Sequence, residues 1–230
     1  MHFRLTIVTA LFLLGSTVTA TEIKPFIATY EAIKFDLVLG DIRVSLQPDG
    51  DNFIYEKASS TKGLVALFRD EKVMERSTLS FSKKGLRVLD YHYDLKRGDD
   101  SRTDSFRFES ADRVTGIYKN RPFSLDVPPG TLDRSSIEVA LMQEANSDTE
   151  TLNYTAVDKN KLKTYNFKFQ GEQTVETPAG EFQCLSYKVV RSSGKRSTTL
   201  CMAPELNNLP VKITHDEKGT EFYMLLKSYK

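Results

Sequence analysis

The sequence predicts a mostly β protein, an antiparallel meander curled into a barrel or half-barrel, with one short helix around residues 135–146. Three observations carry this expectation. Apolar and polar residues alternate in runs of about five to ten, the period of a half-buried strand. Gly-, Pro- and Asp-containing turn signals separate the runs at regular spacing, as in antiparallel meanders. Only one stretch has a clear helix start followed by helical spacing. A sheet of about ten strands twists and tends to close.

Taken in chain order, Ile42, Val44 and Leu46 alternate with Asp41, Arg43 and Ser45. Val73, Glu75, Ser77, Leu79 and Phe81 make a weaker run, and Leu89, Tyr91, Tyr93 and Leu95 one rich in strand-favouring aromatics. Phe106 and Phe108 begin a fourth run, and Phe123-Leu125-Val127, Leu152-Tyr154-Ala156 and Tyr165-Phe167-Phe169 follow. Leu185-Tyr187-Val189, Leu200-Met202, Val211-Ile213 and Phe222-Met224-Leu226 complete a set of roughly a dozen strands. Turn chemistry lies between them at Pro48–Asp51, Lys83–Gly85, Gly98–Asp100, Pro178–Gly180, Ser193-Gly194 and Asp216–Gly219. Lys62–Phe68 (KGLVALF) reads as a helical turn or a bulged strand. Ser135-Ser136-Ile137-Glu138 has capping-box spacing, and Ile137, Ala140, Leu141 and Glu144 continue at helical intervals. Pro128-Pro129-Gly130 is the one candidate seam. It either separates two sheets or leads a helix that plugs a single curved sheet, and the second arrangement is preferred.

Residues 1–20 read as a cleaved signal peptide. A short basic start (His2, Arg4) precedes the apolar run Leu5–Leu14 and a small-residue cleavage site ending at Ala20, so the mature chain begins at Thr21. Residue 21 is not cysteine, which argues against a lipoprotein. No later segment approaches the ~20 apolar residues of a membrane-spanning helix. The expectation is a soluble periplasmic protein with no integral membrane segment, residues 21–230 forming a single β domain. Arg4 is the only charged side chain lost, leaving 31 basic against 31 acidic residues. That balance lacks the basic field of a nucleic-acid binder, and no basic amphipathic helix suits a lipid surface.

A family resemblance rests on several of these residues. Pro25-Phe26, Tyr30, Gly63-Leu64 and Glu75-Arg76-Ser77 lead to PPGTLDR at 128–134, then to Thr174–Phe182 (TVETPAGEF), Ala203–Leu206 (APEL) and Leu209-Pro210-Val211. Together they resemble the bacterial family known as domain of unknown function 3108, over nearly the whole chain from Pro25. The resemblance implies an exported or envelope-associated, mostly β protein of Gram-negative bacteria and carries no catalytic residue. Cys201 stands where that family tends to have an aromatic residue, so the cysteine pair is particular to this chain.

If Ser193-Gly194 closes a two-residue hairpin, Leu185 faces Met202 and Tyr187 faces Leu200 on the apolar side. Cys184 and Cys201 then share the polar face, one pair off register, where Cβ atoms sit about 7 Å apart or somewhat less, longer than a relaxed disulfide needs. A bulge or a longer loop would close the gap. A structural disulfide, two free thiols and a redox or metal role all remain open, with the disulfide favoured in an oxidising compartment.

Catalytic signals are sparse. Of three histidines, His2 leaves with the signal; His92 and His215 read as strand residues. No GxSxG, HExxH, P-loop or dinucleotide fingerprint is present, so no metal, no cofactor and no enzyme is expected. Asp99, Asp100 and Asp104, and the pair Glu71 and Glu75, read as solvated carboxylates. Asp133 and Arg134 are aimed by the Pro-Pro-Gly turn into the helix. Thr131 or Asp133 would cap that helix, and Arg134 would meet either an anionic head group or a carboxylate of the facing sheet.

Three function classes survive. The first is a periplasmic module binding a lipid or other apolar ligand on an aromatic concave face, with Tyr91, Tyr93, Phe106, Phe108, Tyr165, Phe167 and Arg134 as its site residues. The second is an envelope assembly factor that acts through a protein partner. The third and weakest is an enzyme around His92 or Asp133.

Overall fold

The computed structural model describes residues 24–63, 70–82, 85–190 and 196–230. Their strands are β1 (Phe26–Lys34), β2 (Leu37–Asp49), β3 (Asn52–Thr61), β4 (Glu71–Ser82), β5 (Gly85–Arg97), β6 (Asp100–Phe108), β7 (Arg113–Tyr118) and β8 (Arg121–Asp126). Beyond the Pro-Pro-Gly segment lie β9 (Leu132–Asp133), β10 (Thr151–Asp158), β11 (Lys161–Thr177), β12 (Gly180–Val190), β13 (Arg196–Ala203), β14 (Leu209–Glu217) and β15 (Thr220–Tyr229). All belong to one sheet in the order 8-7-6-5-4-3-2-1-15-14-13-12-11-10-9, antiparallel except for the short β9–β10 pair. The sheet is curled but not closed, since β8 and β9 remain as separate edges.

Strand register stacks the inward side chains into cross-strand rows. One row runs Phe26, Leu46, Tyr55, Ser77, Tyr91, Phe106. Its neighbour runs Ala28, Val44, Lys57, Glu75, Tyr93, Asp104, apolar at one end and charged at the other. Directly opposed side chains lie about 4.5–5.5 Å apart at Cβ, so each row packs as a unit. The fully buried tyrosines carry their hydroxyls to partners: Tyr30 donates to Pro210 O at 2.8 Å, and Tyr187 to Asn146 O at 2.7 Å.

Residues 127–131 carry the chain from the β8 edge across to the β9 edge, and helix α1 (Ser136–Glu144) follows. Ser136, Ile137, Val139, Ala140, Leu141 and Met142 are all buried, so α1 is enclosed on most sides. This is the plugging helix preferred from the sequence. Its ends are satisfied by tertiary partners. Asp133 Oδ1 accepts the N–H groups of Ser135 and Ser136 at 2.7 and 2.9 Å, and buried Asn208 donates to Met142 O and Ala145 O at 3.0 and 2.9 Å.

Several expectations are refined. The alternating runs became strands, while β1, β3, β7 and β9 add to them. The Ser135–Glu138 spacing marks the helix start, but it does not form a capping box: Ser135 Oγ and Glu138 turn to the sheet, and Asp133 does the capping. The KGLVALF residues from Leu64 onward, the Ser193-Gly194 turn, and Ala20 and Thr21 lie outside the described residues. No helix among the described residues is long and apolar enough to cross a membrane.

Candidate functional site

A seam of charge joins the helix entrance to the concave face of the sheet. Arg134 makes a two-pronged contact with Glu75, Nη2 to Oε1 at 2.6 Å and Nε to Oε2 at 2.9 Å. Tyr91 hydroxyl donates to Glu75 Oε2 at 2.9 Å, and Ser135 Oγ donates to the same oxygen at 2.6 Å. One step along the row, Glu138 of α1 accepts from Tyr55 hydroxyl at 2.8 Å and pairs with Lys57. Arg134 therefore meets a carboxylate of the facing sheet, one of the two partners the sequence offered it.

Charge balance sets the protonation of these groups. Burial alone would raise the Glu75 carboxyl, but Lys57, Arg134 and the hydrogen bonds from Ser135 and Arg134 outweigh it and hold Glu75 below the usual carboxylate range. Burial works against the Arg134 charge, and Glu75 more than compensates. Asp133 has no such cation. Burial raises it from an ordinary 3.8 to about 6, against the Ser136 and Ser135 N–H hydrogen bonds that favour its charge. Its Oδ2 makes no close hydrogen bond among the described residues.

The aromatic stripe fills the interior. Tyr91 stacks on Phe106 with ring centres 4.9 Å apart, Phe106 meets Phe108 and Phe123 edge-on, and Phe167 packs edge-on to Tyr154. Tyr91, Phe106, Phe108 and Phe167 are buried, whereas Tyr93 and Tyr165 are half-buried. The guanidinium groups of Arg102 and Arg134 both approach the Tyr93 ring, 4.9 and 5.0 Å from its centre. Tyr165 donates to Asp158, which also pairs with Lys163. The hollow among Tyr91, Tyr93, Phe106 and Arg134 measures about 20 Å³, room for a water and no more.

The hairpin register is the one expected, with Leu185 opposite Met202 and Tyr187 opposite Leu200. Cys184 and Cys201 are nevertheless joined, their Cα atoms 5.3 Å apart. The β13–β14 register shifts beside Cys201. Both cysteines are buried, not on a polar surface: Gln173 Nε2 donates to Cys201 Sγ at 3.1 Å, and the β11–β12 hairpin reaches β15, where Ala179 N–H donates to Leu226 O.

The histidines stay apart from this seam. His92 is half exposed, 3.4 Å from Asp90, and His215 stacks on Phe222 beside Thr198. Asp99 and Asp100 are exposed, and Glu71 pairs with Arg97 at the surface. Glu75 and Asp104 depart from the solvated reading. Glu75 is the centre of the seam, and Asp104 is buried, accepting Lys119 N–H at 2.8 Å beside Arg102. A signal for Glu75 was present, since it occupies an inward position in an otherwise alternating run.

The concave face opens at one end into a cleft of about 320 Å³ that the sequence reading missed. Its cause is a row of small residues, Ala32, Gly40 and Thr61, above the row holding Ile42 and Ser59. Leu39 and Phe222 complete its apolar lining, and Glu71 lies at one side. Chain-adjacent to Leu39, the β1–β2 hairpin exposes Phe35 (72%), Leu37 (64%) and Val38 (47%). Its two turn residues, Phe35 and Asp36, have φ of 51° and 59°, the left-handed region that Asn and Gly normally supply in such turns. A larger groove of about 560 Å³ lies on β2–β6 and is rimmed by Asp41, Arg43, Lys72 and Lys96. Another, of about 550 Å³, lies at the opposite end beside Phe108 and Pro129–Thr131.

Among solved structures, the chain is similar to a β-barrel-like protein of domain of unknown function DUF1849 from Brucella abortus. The two share 11% identity at a TM-score of 0.57, covering 90% of this chain and 97% of that one. A Bacteroides fragilis chain described as an exported protein with a YmcC-like fold shares 13% identity at a TM-score of 0.35, over 89% of this chain and 95% of that one. These likenesses speak to fold alone, and the second is too distant to carry an argument. No curated protein matches the chain. The model of the family described as "Protein of unknown function (DUF3108)" matches residues 26–227, from the first residue of β1 into β15, and the chain belongs to that family.

Proposed function

We propose that this protein is an exported, non-catalytic binding module of the cell envelope that receives a lipid or other apolar chain in the cleft at the open end of its sheet. The observation that carries this reading is the exposed hairpin Phe35, Leu37 and Val38, continuous through Leu39 with a cleft lined by Ala32, Ile42 and Phe222. Its volume falls at the lower end of the range for small-molecule sites, which are mostly apolar with few polar anchors. Two features support a non-catalytic role. The charged side chains at the helix entrance are engaged with one another, and the histidines lie elsewhere. The signal peptide read in residues 1–20 supports export.

The test is organic extraction of protein purified without detergent, followed by mass spectrometry, together with titration of a fluorescent fatty acid. Stoichiometric lipid or saturable probe binding is expected, and Ile42→Trp, which fills the cleft, should abolish the probe signal. Folded protein that yields an empty extract and binds no probe would overturn the proposal.

A further inference from the structure

Among the described residues five large apolar side chains are exposed: Phe35, Leu37, Val38, Ile117 and Leu162. Strand direction puts all five at one end of the sheet, near the two-residue turns that close β1–β2, β7–β8 and β10–β11. The β5–β6 and β14–β15 turns lie at the same end. The curl brings part of this rim together, since Ile117 and Lys159 line one hollow.

Four turns at this end depart from the usual chemistry at one position each. Positions with left-handed φ favour Gly, Asn or Asp, because a Cβ there crowds the following carbonyl. At this end the first left-handed position of four turns is occupied by Phe35, Lys119, Lys159 and Lys218, with φ of 51°, 50°, 67° and 58°, while Asp36, Asn120 and Gly219 beside them, and Gly98 in the β5–β6 turn, keep favoured residue types. At the opposite end the corresponding residues are Gly50, Gly85, Gly180, Asn207 and Asn208. Strain of this kind is retained where the side chain has another use. The lysines also sit against aromatic rings, Lys34 over Phe35 at 5.2 Å and Lys119 over Tyr118 at 5.7 Å. No carboxylate among the described residues forms an ion pair with Lys34, Lys119, Lys159, Lys161 or Lys218. Asp36, Asp70, Asp99, Asp100, Asp216, Glu217 and Glu221 share this end, with Glu217 paired to Arg196 and Asp216 accepting Gly219 N–H, while the opposite turns carry Asp49, Asp51, Glu109, Asp112, Asp148 and Glu150.

Exposed apolar tips interleaved with unpaired lysines are the chemistry that inserts at a headgroup boundary and attracts anionic lipid. We infer that this end of the sheet is a docking face for the surface of a bilayer containing anionic lipid, with Phe35, Leu37 and Val38 entering the interface and Lys34, Lys119, Lys159 and Lys218 meeting the headgroups. The inference stands whatever the cleft holds.

Co-sedimentation of the mature chain with phosphatidylcholine vesicles, with and without phosphatidylglycerol, tests it. Binding is expected only with phosphatidylglycerol and should fall at high salt. Phe35→Asn and the double variant Lys119→Asn/Lys159→Asn place a favoured residue at each left-handed position. They should therefore melt no lower than the parent while losing binding on the order of tenfold for the lysine pair. Ile42→Trp, which blocks the cleft, should leave sedimentation unchanged, separating this face from the ligand reading. Absence of parental binding, equal binding to neutral vesicles, or full binding by the Asn variants would each overturn the inference.

Discussion

Arg134 reaches back 59 residues to hold both oxygens of the Glu75 carboxylate, Nη2 on Oε1 and Nε on Oε2. The contact ties the helix entrance to β4, in the middle of the other half of the sheet. Two parallel N–H···O bonds fix orientation as well as distance, which a lysine could not do.

Removing one partner should cost more than the pair is worth, because a half-buried charge is left behind. Arg134→Ala is expected to destabilise the fold by about 2–3 kcal/mol, below the fully buried range of 3–5, since the Arg134 side chain keeps 31% of its exposure. Urea unfolding of Arg134→Ala, Glu75→Gln and the double variant measures this, with a coupling energy above about 1 kcal/mol expected. Additive effects would show that the contact carries little.

Asp133 should give stability a pH dependence of unusual sign. Its folded pKa is raised to about 6 from 3.8, so through that window the native state keeps a proton that the unfolded chain has lost. Its stabilising contribution is full below 3.8 and is lost as pH rises through about 6. Glu75, held low, acts oppositely, contributing above its ordinary 4.5 and failing as pH falls. Asp133→Asn keeps an oxygen for the Ser135 and Ser136 N–H groups and removes the titration. Melting temperature measured from pH 4 to 6.5 should therefore flatten in Asp133→Asn, whereas Asp133→Ala should lose about 1 kcal/mol of capping at every pH.

The disulfide closes a separation of 17 residues, and in the chain-entropy view it is worth on the order of 3 kcal/mol. Reduction, or Cys184→Ala with Cys201→Ala, should lower stability by that amount without unfolding the sheet at room temperature. Thiol titration of unreduced, denatured protein should find no free thiol; two would contradict the bond.

Gly40 is required by close approach, since a Cβ there would stand 2.1 Å from Ser60 O across the β2–β3 pair. Gly40→Ala should cost about 1–3 kcal/mol and close part of the cleft, reducing probe uptake. Gly50→Ala, with φ of 60° and no atom within 4 Å, serves as the control and should cost about 1 kcal/mol with uptake unchanged.

Reading the sequence alone worked where chemistry is local. Alternation located Ile42–Leu46 and Tyr91–Leu95, and Gly98-Asp99 and Lys218-Gly219 marked their turns correctly. It missed the turns at Phe35-Asp36, Lys119-Asn120 and Lys159-Asn160 because each opens on Phe or Lys where Gly, Asn or Asp is usual and holds a lone Asp or Asn without Gly or Pro. Ser135 and Glu138 were legible as a helix start, but their partners Glu75, Tyr55 and Lys57 lie 60 to 83 residues away, beyond any local pattern.

The sequence by itself determined the strand period, the helix that begins near Ser135, the hairpin register of Leu185 with Met202, and the aim of Asp133 and Arg134 from the Pro-Pro-Gly turn. Local sterics and side-chain alternation suffice for those. Only the tertiary structure decided that the aromatic stripe packs as core, that half-buried Glu75 pairs with Arg134, and that the open space lies at the rim with Ala32 and Gly40. Those outcomes depend on how far a fifteen-strand sheet curls before the helix fills it, a balance of twist and packing summed over contacts that no short stretch of chain contains.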